Sequence, residues 1–265
     1  MKNFIISITA IILLTSCQKH NRIQPSGHLV TYDILLSELF PKDFGPITGI
    51  DIYDMKADLY IHISEDEEET LSITVDDNVF PHILINGSGF GVSSTKKYSI
   101  SMSYHHTTFM IRQPTLSIVL TVRNFERLGL SGASTAYLLD TLVADNLDLR
   151  LSGASRFRTA HPHRREATGR IEANTITAVL SGASILDMSG RCETLDLTLS
   201  GASQAVNFSM VCDHLKAVFS GASRASVTVN STLSATLSGA SVLNYGGNPV
   251  IIHSNLSGAS VLRQW

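Results

Sequence analysis

Three groups of residues carry the chemistry from which a functional site would be built. The most basic patch is Arg156-Phe157-Arg158-Thr159-Ala160-His161-Pro162-His163-Arg164-Arg165. Arg156, Arg158, His161, His163, Arg164 and Arg165 suit an anionic glycan or a phosphate-bearing lipid headgroup, and loops ejected from a regular scaffold often carry its binding function. Solvated charges on a tolerated insertion would look the same. His161 and His163 lack a third ligand nearby in sequence, so no metal is assigned. The run Glu65-Asp66-Glu67-Glu68-Glu69 invites calcium, but a calcium loop spaces its ligands, with Gly between. It reads as a solvated loop tip. The Gly-rich stretch from Gly87 to Gly91 has no Lys-Ser/Thr and helix behind it, so it is no phosphate cradle.

The second group is the carboxylates. Asp140, Asp145, Asp148, Asp187 and Asp196 scatter through the chain, and no pair suited to glycoside hydrolysis can be picked out. His105-His106 sits in a polar stretch and reads as exposed. The third group is the serines. Ser-Gly-Ala-Ser begins at Ser131, Ser152, Ser181, Ser200, Ser220, Ser238 and Ser257. A nucleophilic serine is distinguished from its neighbours by its surroundings, whereas these recur seven times. The residue after each motif is Thr135, Arg156, Ile185, Gln204, Arg224, Val242 or Val261, which is not an acidic ladder. Neither a catalytic residue nor a cofactor is assigned.

The motif defines the elements that would position any site. Its intervals run from 18 to 21 residues, apart from one of 29. A short motif at a near-constant period marks a repeat architecture. The residue before each copy is Leu or Phe, and upstream apolar positions fall two apart, as in Leu195-x-Leu197-x-Leu199. Period two means strands with one buried face. A strand-turn-strand unit of about 20 residues buries that face only by stacking on its copies. The spacing therefore predicts an all-β fold, a parallel β-solenoid with one coil per repeat. Gly132, Gly153, Gly182, Gly201, Gly221, Gly239 and Gly258 would turn the chain with positive φ or let coils approach closely. The motif's Ala would point inward at a tight corner, flanked by the two serines. Cys192 lies eight residues before Ser200 and Cys212 eight before Ser220, so the two should stack on consecutive coils. A disulfide and a pair of inward-packed thiols both fit that placement.

Ahead of the repeats, Met1–Ser16 pairs Lys2 with an apolar run too short to span a bilayer, as in a secretory signal. Leu14-Thr15-Ser16-Cys17 resembles the lipobox of bacterial lipoproteins. That resemblance implies cleavage before Cys17, its lipidation, and anchoring in a Gram-negative envelope membrane, the outer membrane above all. Gln18-Lys19-His20-Asn21-Arg22 lacks the acidic residues some bacteria use for surface export, so the leaflet stays open. Residues 17–46 read as a tether, with a short helix or capping segment over Tyr32–Phe40. Residues 47–127 read as a less regular β region, with strands at Ile50–Tyr53, Leu59–Ile63, Leu71–Val75, His82–Ile85, Phe90–Ser93, Tyr98–Met102 and Leu116–Val122. Residues 128–265 hold the repeats. The net charge of -3 implies no nucleic-acid partner.

The order of these elements, with Asp77-Asn78 and Leu128-Gly129-Leu130-Ser131-Gly132-Ala133-Ser134 leading into the coils, resembles the bacterial family called putative auto-transporter adhesin, head GIN domain. The resemblance covers Ile47 to the C-terminus. It implies a right-handed, single-stranded parallel β-helix similar to the pectin-lyase type, without recognisable catalytic residues, and a role in adhesion. The chain departs from the pattern where Arg156–Arg170 is inserted. The reading that results is a non-enzymatic envelope lipoprotein that binds host or envelope glycans or proteins. A periplasmic structural or signalling partner is the second reading, and a polysaccharide lyase or hydrolase the third. An open terminal coil invites oligomer formation, with Trp265 either capping the last coil or meeting a second subunit.

Overall fold

A computed structural model describes residues 21–40, 46–90, 97–105, 108–110, 112–159 and 169–265. About two thirds of the described residues are strand, as the period-two pattern leads one to expect. Among the described residues nineteen strands belong to one mixed sheet, and Asn21–Ile23 pairs in parallel with Thr108–Met110 in a second, two-stranded one. Helix among the described residues is confined to the single turns Leu36–Leu39 and Phe80–His82.

Each repeat pairs in parallel with the one before it. Strand Arg127–Gly132 pairs with Thr141–Leu151, which pairs with Arg170–Leu180, and the series continues through Gly190–Leu199, Gln204–Phe219 and Arg224–Leu237 to Val250–Leu256. Beyond each motif a second series runs through Thr135–Leu138, Arg156–Arg158 and Ile185–Asp187 and ends at Val242–Gly246 and Val261–Gln264. The residue before each motif falls in one column, Leu130, Leu151, Leu180, Leu199, Phe219, Leu237 and Leu256. All but the last are at most 2% exposed. Burying one such side chain contributes roughly 1.5–3 kcal/mol, so this column is a major part of what holds the repeats in register.

The register corrects the limits of the insertion. Arg156, Phe157 and Arg158 pair with Thr135, Ala136 and Tyr137 on one side and with Ile185, Leu186 and Asp187 on the other. They form a regular strand, not part of an ejected loop. Regular pairing resumes at Arg170, opposite Thr141. The extra residues of the long interval therefore fall between Arg158 and Arg170 and leave the register on both sides intact.

Towards the amino-terminal end the parallel stack continues and then changes direction. Ile47–Met55 pairs in parallel with Arg127–Gly132 and Lys97–Tyr104, and Asp58–Ile63 with Thr135–Leu138 and Leu116–Val122. Antiparallel strands then close the series. Ile83–Phe90 lies on Lys97–Tyr104, Thr70–Asp76 on Leu116–Val122, and Leu29–Leu35 on Thr70–Asp76. The stretch Tyr32–Phe40, read as a short helix or a capping segment, is helical only in part. Its first half satisfies its backbone groups in the sheet, and one helical turn follows. Phe90 ends a strand, whereas the rest of the expected Phe90–Ser93 strand lies outside the described residues. Glu65, Asp66, Glu67 and Glu68 are exposed in the loop after Ile63, as expected of a solvated tip.

Trp265, expected either to cap the last coil or to meet a second subunit, follows the last strand. Its ring stands beside Gly246, where an added Cβ would be 2.9 Å from the indole, and its side chain stays 54% exposed.

Candidate functional site

The motif serines are structural. All seven motif glycines have φ between +69° and +82°, the left-handed region glycine enters without penalty. A Cβ on Gly201 would stand 2.7 Å from the carbonyl oxygen of Gly182, the equivalent residue one repeat earlier. The alanine was expected to point inward, and here the structure differs. Ala154, Ala183, Ala202, Ala222 and Ala240 are exposed, while Ser155, Ser184, Ser203, Ser223 and Ser241 are fully buried. Each of these buried hydroxyls donates to the carbonyl of the serine three residues earlier, at 2.5–2.8 Å. A buried methyl would leave that carbonyl with one fewer donor, and the hydroxyl fills the same volume while closing the turn.

Of the basic patch, Arg156 is exposed and Arg158 half-buried, with its Nε finding no hydrogen-bond partner among the described residues. His161, His163, Arg164 and Arg165 lie outside the described residues, as does Cys17. Cys192 and Cys212 occupy paired register positions, as the spacing requires. In the structure both are buried free thiols. In a parallel ladder adjacent side chains leave the backbone side by side, with no tendency to converge. Burial, and for Cys212 the neighbouring Cys192, pushes both thiols up, Cys192 to about 12.

The concave feature that stands out lies elsewhere. The residue seven positions before each of the first six motifs is Asn124, Asp145, Asn174, Glu193, Asp213 or Ser231. All six line one groove of about 770 Å³. Glu126, Glu172, Arg191 and His214 complete its polar lining. The position is a corner, because pairing skips it. Ala144 pairs with Ala173 and Asn146 with Thr175, and residues 145 and 174 turn outward between them. Two ties run along the stack: Asn174 donates to Asp145 and Asn230 to Asp213, each at 3.0 Å, while Asn124 donates to Glu126 of its own repeat at 3.1 Å. Lys97 pairs with Glu126 at the groove's amino-terminal end. Sequence reasoning missed this ladder because it inspected the position after each motif. Aligning the repeats and reading the seventh position before the motif would have found it.

A second ladder crosses the neighbouring strand face. Ser99 donates to Asp51 at 2.7 Å, Arg127 bridges Asp51 and Asp148 at 3.1 and 3.2 Å, and Arg150 reaches Asp148 at 3.0 Å. Burial alone would lower the Arg127 pKa, but hydrogen bonding and charge from Asp51 outweigh it and raise the value. Asp140, meanwhile, accepts from the backbone N–H of Ile63 and lies 3.0 Å from the Nδ1 of His62. Among the described residues no three His, Cys, Asp or Glu side chains are placed to hold a metal ion. No helix among them is long and apolar enough to cross a membrane.

The structure resembles solved proteins over nearly its whole length. A putative adhesin from Bacteroides fragilis matches with a TM-score of 0.68 at 17% identity, covering 91% of this chain and 98% of that one. A protein from Parabacteroides distasonis described as a putative lipid binding protein matches at 0.67 and 12% identity, covering 92% and 100%. A putative adhesin from Parabacteroides merdae matches at 0.65 and 14% identity, covering 92% and 99%. At these identities the likeness is one of fold. No curated protein matches the sequence. The sequence itself carries the family assignment: with a match over residues 54–249, the chain belongs to the family described as putative auto-transporter adhesin, head GIN domain.

Proposed function

We propose that this protein is a non-enzymatic adhesin of the bacterial envelope, held to the membrane by lipid on Cys17. Its repeats would wind as a right-handed parallel β-helix and present its corner groove to an extended polymer. The observation that carries this reading is the groove's construction from one equivalent position of six successive repeats. A repeated set of amide, carboxylate and hydroxyl groups suits a ligand that is itself a repeating chain of hydrogen-bonding groups, such as a glycan. Glu126, Asp145, Glu172, Glu193 and Asp213 outnumber Arg191 and Lys97 there, which favours neutral over anionic glycans. The ties from Asn174 to Asp145 and from Asn230 to Asp213 speak for positioned acceptors in place of a general acid–base pair.

The test is a glycan and matrix-protein array probed with the chain from Gln18, an Asp145→Ala/Asp213→Ala variant, and a variant lacking Ala160–Arg165. Saturable binding to neutral glycans that is lost in the first variant supports the groove. Loss only in the second moves the site to the basic insertion. Binding by none of the three removes the adhesin reading in favour of a periplasmic structural role, and cleavage of an arrayed polysaccharide would restore the lyase or hydrolase reading.

A further inference from the structure

The last repeat is built like the others, and among the described residues no further repeat stacks on it. Leu233 and Leu237 are at most 1% exposed, whereas their register partners Ile251 and Leu256 are 44% and 45% exposed. Val250, Ile252, Val261 and Trp265 are exposed as well. Six of the eleven large exposed hydrophobics of the described residues thus fall within the final sixteen positions, and a concentration of exposed apolar side chains marks an interaction surface. Beside it runs a bare strand edge. Among the described residues Val250–Leu256 pairs only with Arg224–Leu237, and Val261–Gln264 only with Val242–Gly246.

Edges of this kind are normally guarded by lysine, proline or a covering segment. Val250–Leu256 contains neither lysine nor proline. Between Gly247 and Trp265 the one side chain charged at neutral pH is Arg263, held by Asn244 of its own chain at 2.9 Å. Two such ends therefore meet without like-charge repulsion. The opposite end of the stack does not offer a matching surface, because antiparallel strands Ile83–Phe90 and Leu29–Leu35 interrupt the parallel register there. A head-to-tail contact would lack a partner in register. An end-to-end contact pairs identical strands across a two-fold axis and closes after two copies.

We propose that the terminal repeat is a dimer interface at which two copies of this chain join carboxy-terminal end to carboxy-terminal end. Strand Val250–Leu256 runs antiparallel to its twin, and Ile251 and Leu256 are buried between the copies. The two adhesive stacks then extend in opposite directions from one junction.

Sedimentation velocity on the full chain, with Ile251→Glu and Leu256→Glu variants alongside, tests this. A dimer whose dissociation constant rises at least about tenfold in both variants, with unchanged circular dichroism, supports the interface. Should the variants misfold, a His253→Cys substitution at the middle of the edge strand decides. A 253–253 disulfide mapped by mass spectrometry after mild oxidation supports the junction, and its absence overturns it. A monomer at every concentration, a dimer indifferent to both substitutions, or species that keep growing with concentration would each overturn the proposal as well.

Discussion

Asp51 and Arg127 each occupy the space above a glycine of the other's strand. A Cβ on Gly49 would stand 2.8 Å from the Cβ of Arg127, and a Cβ on Gly129 would collide with the Asp51 carboxylate. Each glycine thus clears room for one partner of a buried ion pair, with Asp51 only 3% exposed. Removing one member leaves the other charge buried and unpaired, which costs several kcal/mol. Arg127→Met is expected to destabilise the fold by about 3 kcal/mol. Asp51→Leu combined with Arg127→Met should recover most of that loss, since an apolar pair carries no desolvation penalty. Urea denaturation of the single and double variants checks this; equal stabilities for Arg127→Met and the parent would remove the pair from the stabilising set.

The motif makes a sharper prediction about its third and fourth residues. Ser223 is fully buried and its hydroxyl closes the turn on the Ser220 carbonyl, while Ala222 is exposed. Ser223→Ala should cost about 1–2 kcal/mol through the lost buried hydrogen bond. Ala222→Ser should stay within about 0.5 kcal/mol, as surface changes do. Gly201→Ala combines positive φ with a Cβ 2.7 Å from the Gly182 carbonyl, so it should exceed both and cost at least about 2 kcal/mol. Thermal melts should show the smallest loss for Ala222→Ser, a larger one for Ser223→Ala and the largest for Gly201→Ala. An Ala222 variant as damaging as the Ser223 variant would restore the inward-alanine reading.

These residues also show how much the sequence could tell. The repeat, its strand character and the Cys192–Cys212 register followed from spacing alone, because a fixed period converts sequence offset into spatial adjacency. Which motif residue faces inward did not follow. Hydrophobicity points to Ala133 and its equivalents, but the turn closes through a side-chain oxygen, and Ser134 and its equivalents take the interior. The insertion was misplaced for a similar reason. Arg156 and Arg158 look like loop residues by charge, yet a strand on the outer face accommodates charge at alternate positions, and Phe157 between them is buried. The amino-terminal end was the least legible part. Its antiparallel strands carry no motif, so nothing in the spacing said that Leu29–Leu35 would pair with Thr70–Asp76.

The stacked cysteines should behave as inert core residues. Burial keeps both thiols protonated well above neutral pH, with Cys192 at about 12, and the thiolate is the reactive form. In the native protein at pH 8, iodoacetamide should leave both unmodified over hours, and two labels should appear on denaturation. Cys192→Val is expected to change stability by less than about 1.5 kcal/mol, as a volume-conserving apolar exchange does. Mass spectrometry of the native and denatured protein reads the labels directly. A non-reducible mass with no labels after denaturation would point to some other modification, and a mass two daltons low that reduction restores would mean that the two thiols are bridged after all.

Tyr104 offers a stability change with a defined pH window. Its hydroxyl is buried, finds no hydrogen-bond partner among the described residues, and lies in the field of Asp76. Burial first and that charge second push its pKa from the ordinary 10.0 to about 12. Between those two values the unfolded chain releases a proton that the folded chain keeps. The unfolded state then binds fewer protons, so stability falls as pH rises through this window and is unaffected by Tyr104 below it. Tyr104→Phe removes both the titration and the unpartnered hydroxyl. It should raise stability at pH 7 by about 1 kcal/mol and flatten the decline above pH 10 relative to the parent. Chemical denaturation at pH 7, 9 and 11 measures both effects. Parallel declines in the two proteins between pH 9 and 11 would show that the hydroxyl reaches solvent or a partner and titrates normally in the folded state.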